Sequence, residues 1–209
     1  MENLEIEGTP FSVLMEQAVK LKSESGKPFR RRYDTLPRYV QESMFASDEF
    51  QQLQSLPFFE RYEVSYQLNE EGKAHFLKGD FHTSILKFQE SLSLWHFVRN
   101  TAPEWKTKEI EDNFLEETVF HPERAQDKAL LTSLQERLLC NLSRAHQRIG
   151  EGGQALSYLN EVLLRVNDKS VRALLRRAEL KTSDPSAGGL ELREAWEDLK
   201  LCRELGFDF

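Results

Sequence analysis

The chain has 209 residues, a net charge of −7, and 30% charged against 39% hydrophobic residues. That is enough apolar material for one domain plus an extension, and the acidic balance argues against a nucleic-acid binder. No apolar run approaches the roughly 20 residues of a membrane span, and the N-terminus lacks the basic and apolar regions of a signal peptide, so no membrane association and a cytoplasmic location are expected.

In chain order, residues 1–9 are acidic and read as loose. Phe11, Leu14, Met15, Ala18, Val19 and Leu21 recur at helical spacing and predict an amphipathic helix over residues 10–24. Its apolar stripe needs cover from the rest of the chain or from a partner. Ser25-Gly26-Lys27-Pro28 ends it, and the basic run Lys27–Arg32 reads as a solvated loop or helix end. Shorter helices are expected from Pro37 to Phe45 and from Ser47, as cap, to Leu56.

The helical period resumes from Glu60 to Leu77. After a turn at Gly79-Asp80, a return helix is expected from Thr83 to about Arg99. Residues 100–123 form an irregular spacer with Trp105, Phe114 and Phe120. A long helix follows from Glu123 to Ile149, then a turn at residues 150–153 and a partner helix from Gln154 to Val166. Asp168 is a plausible cap for a helix over Val171–Thr182. A long turn at residues 184–189 leads to a last helix from Leu192 to Leu205. Residues 114–120 alternate poorly and are interrupted by Glu116-Glu117, so no strand is expected there. The fold class is all-α, with a helical N-terminal extension (1–59) and a second domain (60–209).

Cys140 and Cys202 fall in apolar company on helix faces and read as free buried thiols. No cluster of Cys and His stands at metal-ligand spacing, so no metal is expected. The sequence offers no Ser/His/Asp set, phosphate-binding loop or HExxH. Gly150-Glu151-Gly152-Gly153 follows a helix rather than a strand and reads as a turn. No cofactor and no enzymatic activity are expected. His75 and His146 read as packing residues.

One pattern recurs. Gly72 is followed by Ser84, Phe88 and Ser91; Ser143 by Ala155, Leu159 and Val162; Ala178 by Ala195, Leu199 and Cys202. In each unit a small residue on one helix faces a small–large–small series on the next. The first two units set their small residues 12 positions apart and the third sets them 17 apart. The pattern resembles the tetratricopeptide repeat, a helix–turn–helix unit of about 34 residues. Three helix pairs, at about residues 65–99, 136–167 and 170–205, would stack into an α-α superhelix.

Within that group the chain resembles co-chaperones and immunophilin-like proteins that grip the acidic C-terminal tail of heat-shock chaperones through a carboxylate clamp. The resemblance places the clamp at Asn69 and Lys73 in the first repeat, Asn141 in the second, and Arg172 and Arg176 in the third. The Asn and Lys of the first repeat are exchanged relative to the family's order. The spacer with Pro103-Glu104-Trp105 is similar to the aryl-hydrocarbon-receptor-interacting-protein branch. Residues 1–59 are too short and too helical for that group's isomerase-like domain, so no prolyl-isomerase activity is expected. The implied function is an adaptor binding a chaperone tail that ends in Glu-Glu-Val-Asp. A scaffold binding an internal segment of another protein is the alternative, and repeats supporting an N-terminal catalytic region are a third.

Overall fold

The computed structural model describes residues 5–6, 9–107, 110–183 and 188–207. The chain divides into two compact units. One combines residues up to Ala46 with His96–Val119, and the other combines Ser47–Trp95 with Phe120 onward. Residues 100–119 of the spacer thus fold with the N-terminal segment, while residues 120–123 belong to the unit that holds the repeats.

The first unit starts with two residue pairs, β1 (Glu5–Ile6) and β2 (Thr9–Pro10), in antiparallel register. The reading of residues 1–9 as loose falls largely on residues 1–4 and 7–8, outside the described residues. Helix α1 (Phe11–Gly26) follows Pro10. Met15, Val19 and Leu21 stay open, at 48%, 64% and 68% exposure, so the expected cover is not supplied by the described residues. Helices α2 (Arg31–Thr35) and α3 (Arg38–Ser43) contribute Tyr33, Tyr39 and Val40 to a small core.

The rest of that core comes from a hairpin the sequence did not predict. Strand β3 (His96–Asn100) pairs antiparallel with β4 (Leu115–Val119), His96 opposite Val119 and Asn100 opposite Leu115. This corrects the return helix, which stops at Ser93 rather than near Arg99. It also corrects the strand-free reading of residues 114–120. One of the two glutamates that argued against a strand, Glu117, has partners from elsewhere in the sequence. Glu117 accepts from Arg32 Nη2 at 2.9 Å and lies 2.8 Å from His96 Nε2. Asp112 accepts from the backbone N–H groups of Arg32 and Tyr33, so the end of the basic run is tied down as well as solvated. Trp105 of the Pro-Glu-Trp element packs edge-on against Phe45 at 5.3 Å.

The second unit is helical throughout its described residues. Ser47 caps α4 (Asp48–Leu53), accepting from the Phe50 N–H as expected. Helix α5 (Phe58–Leu77) opens after Pro57 and pairs with α6 (Phe81–Ser93). Gly79 supplies the positive φ of the turn, 80°, and Asp80 caps α6 through the Thr83 N–H. The small residues do what the repeat pattern requires. Ser84 Oγ donates to the Gly72 carbonyl at 2.8 Å. Ser91 Oγ donates to the Ser65 carbonyl at 2.7 Å, and Trp95 Nε1 donates to Ser65 Oγ at 2.9 Å. Trp95 is fully buried against Leu94, Leu131 and Phe120.

Helix α7 (Ala125–Arg148) buries Leu131, Leu134, Leu138 and Leu142, while Leu130 is 40% exposed. It pairs with α8 (Gly152–Glu161) across Gly150, and Ala155 is wholly buried at the crossing. The end of α8 widens into one π-type turn over Val162–Val166. Ser170, not Asp168, then caps α9 (Val171–Ser183), accepting from the Ala173 N–H at 3.1 Å. Ser170 is preferred because its hydroxyl also donates to Glu136 of α7, which takes a second bond from Asn167. Helix α10 (Gly189–Glu204) closes the third pair. The long third turn lies mostly at residues 184–187, outside the described residues. Arg177 locks the last pair, giving two hydrogen bonds to Asp198 at 2.6 and 2.8 Å and one to Asn160.

Candidate peptide-binding groove

Helices α5, α7 and α9 are the first helices of the three pairs, and α7 neighbours both of the others. A spacing of four residues puts Asn69 with Lys73, and Arg172 with Arg176, on common faces. How those faces meet was open from the sequence.

Asn69 is buried, at 2% exposure. Its side-chain N–H donates to Glu70, and its oxygen accepts from Asn141 Nδ2 at 3.1 Å. The two clamp amides are therefore bonded to each other across α5 and α7. Lys73 is exposed, but its ammonium donates to both Glu70 oxygens, at 2.8 and 3.0 Å. Glu70 thus places a carboxylate within the first-repeat half of the expected clamp and neutralises its cation.

Arg176 is half-buried and donates to the Cys140 carbonyl at 3.0 Å, one residue before Asn141. Burial is the main cause holding its pKa below the usual guanidinium value, and Arg144 and Arg172 act in the same direction. Burial likewise pushes the Cys140 thiol up to about 11, and Cys140 and Cys202 are both free and buried. Arg172 is exposed on the same helix. Arg177, its neighbour in the sequence, is committed to Asp198 and is structural.

Two cavities run along these helices. One, of about 170 Å³, is lined by Lys73, Phe76, Leu77, Asn141 and Arg144. The other, of about 640 Å³, is lined by Ser143, Arg144, Gln147, Arg148, Arg176, Glu179 and Leu180. Arg144 borders both and lies over the Phe76 ring, 5.2 Å from its centroid. Of the five residues expected from the sequence, Lys73, Asn141 and Arg176 line this pair of cavities, Asn69 stands behind Asn141, and Arg172 lines neither.

Arg144 and Arg148 were missed. The available signal was their spacing, three and seven residues after Asn141, which sets all three on one face of α7. Among the described residues no carboxylate lies within 4 Å of Arg144, Arg148, Arg172 or Arg176, in contrast to Arg177. In a chain with seven excess negative charges, that is a local concentration of uncompensated cations. No group of three His, Cys, Asp or Glu residues that could hold a metal occurs among the described residues. No helix there is long and apolar enough to cross a membrane.

A solved structure resembles this arrangement of paired helices. It is the C-terminal TPR-containing domain of a Plasmodium falciparum chain named as an FK506-binding protein, with a TM-score of 0.50 at 18% identity. The match covers 74% of this chain and 84% of that one. The fold is that of a tetratricopeptide-repeat domain. At this identity the likeness concerns fold alone. No protein-family model matches the chain, and no curated protein matches it. Tetratricopeptide arrays present the faces of their first helices as an interaction surface. The two cavities are lined by residues of α5, α7 and α9.

Proposed function

We propose that the protein is a tetratricopeptide adaptor of the co-chaperone type, whose groove holds the acidic C-terminal tail of a heat-shock chaperone. The observation that carries this reading is the joining of Lys73, Asn141, Arg144 and Arg176 along two cavities that share Arg144. A chain-terminal carboxylate and an aspartate side chain offer two anions. Guanidinium forks bind carboxylates through two parallel hydrogen bonds, and Asn141 adds an uncharged polar group. Phe76 and Leu77 give the smaller cavity an apolar wall suited to an aliphatic side chain of the same peptide.

Titration calorimetry with a Glu-Glu-Val-Asp peptide tests the reading. Micromolar affinity, about −8 kcal/mol, is expected for the free acid. Amidating the C-terminus removes one anion and weakens binding about tenfold, since a hydrogen bond to a charged group contributes roughly 1.5–3 kcal/mol. Added salt weakens it further because the groove is open to solvent. Equal binding of acid and amide refutes the clamp.

A second reading is favoured by Glu70. Its carboxylate, paired with Lys73 and Asn69, repels a terminal carboxylate at the first-repeat end of the groove. A scaffold that binds an internal acidic segment, with no terminal carboxylate required, follows from that arrangement.

A further inference from the structure

Resting on the reading of the groove as an acidic-peptide site, we infer that Arg144 and Arg148, together with Arg176, form a second anion-binding position that takes an internal acidic side chain of the ligand. Arg144 and Arg148 lie outside the five expected clamp residues, and Arg176 is shared with them. It is carried by the 640 Å³ cavity, whose lining includes three guanidiniums against one carboxylate, Glu179. Two excess positive charges therefore face one recess. The first-repeat end is close to neutral, because Glu70 offsets Lys73. The field in the groove is thus strongest away from the first-repeat end, on the α7–α9 side.

Geometry sets which ligand residue fits. Seven residues separate Asn141 from Arg148 on α7. At about 1.5 Å of rise per residue, that is roughly 10 Å along the helix. An extended peptide advances about 3.3 Å per residue, so a carboxylate about three residues from one bound at Asn141 reaches Arg148. Arg144 sits between them. Its guanidinium is held over the Phe76 ring, which fixes the fork without consuming its charge. Arg176 is preorganised by its bond to the Cys140 carbonyl. Gln147 and Ser143 supply polar groups in the same recess. The ligand chemistry is therefore an extended acidic peptide with two anions about three residues apart.

Three peptides and two variants test this by titration calorimetry. The peptides are the Glu-Glu-Val-Asp free acid, its C-terminal amide, and the free acid with both glutamates changed to glutamine. The variants are Arg148→Ala and Arg144→Gln, both at exposed positions. The glutamine peptide is expected to bind the native protein about tenfold more weakly. Arg148→Ala should weaken the glutamate peptide by a similar factor while leaving the glutamine peptide unchanged, whereas Arg144→Gln, at a residue that borders both cavities, should weaken both peptides. If glutamate and glutamine peptides bind the native protein equally, or if Arg148→Ala weakens both alike, the second position is overturned whatever the amide does. If the amide matches the acid while the glutamine peptide is weak, the second position stands and the terminal-carboxylate clamp falls. No binding by any of the three overturns both.

Discussion

The ring of Phe88 lies so close to Gly72 that a Cβ at that position would come within 2.6 Å of it. Gly72 and Phe88 are buried, and the contact sets how tightly α5 and α6 cross. A glycine inside a helix costs about 1 kcal/mol relative to alanine, so Gly72→Ala would stabilise an isolated helix. Here the ring has to move within a packed core, which costs about 1–3 kcal/mol. The variant is expected to be less stable in urea denaturation, and a gain in stability would contradict the close crossing.

Arg177→Ala should be the most damaging single change in the third repeat. It removes the bidentate partner of Asp198, whose side chain is 6% exposed, and the bond to Asn160. Stranding a buried carboxylate costs about 3 kcal/mol or more, less here because the arginine side is partly solvated. Arg172→Ala, one turn away and exposed, should leave stability within about 0.5 kcal/mol. Parallel denaturation curves of the two variants check the contrast.

The hairpin should loosen in acid. Glu117 is held below the usual carboxylate range, first by the hydrogen bond from Arg32 and then by His96. A carboxylate with a depressed folded pKa contributes stability that is present above its unfolded value, near 4.5. That stability is lost as pH falls through the folded value. Amides of the β3–β4 ladder should exchange faster at pH 3 than at pH 6 after correction for intrinsic rates. In Glu117→Gln this pH-dependent difference should shrink.

Cys140 should resist alkylation at pH 8 in the native protein and react in denaturant. Its thiol is fully buried and its pKa is raised to about 11, so little thiolate exists. Iodoacetamide labelling read by mass spectrometry decides this, and rapid native labelling would mean that α7 opens readily.

Arg176→Ala should weaken the free-acid tail about tenfold or more while the protein stays folded, because a charged hydrogen bond contributes roughly 1.5–3 kcal/mol. Its bond to the Cys140 carbonyl is also lost. A thermal melt run beside the titration separates lost binding from lost structure.

The helix pairs were legible in the sequence because their determinants are local. Gly72, Ser84, Ala155 and Ala195 stand at spacings that only close helix crossings explain, and Gly79 and Gly150 mark turns that need a positive φ. The spacing also put Asn69 with Lys73, and Arg172 with Arg176, on common faces, since residues four apart on one helix must share a face. The hairpin was not legible. His96 pairs with Val119 across 23 positions, and Glu117, one of the two glutamates that made β4 look unlike a strand, is satisfied by Arg32 and His96 from elsewhere in the fold. The electrostatics of the groove were not legible either. Sequence spacing gives the face of a helix, but the rotation of that face toward its neighbour comes from packing. That rotation bonds Asn69 to Asn141, lets Glu70 take Lys73, sends Arg177 inward to Asp198, and leaves Arg144 and Arg176 facing one recess.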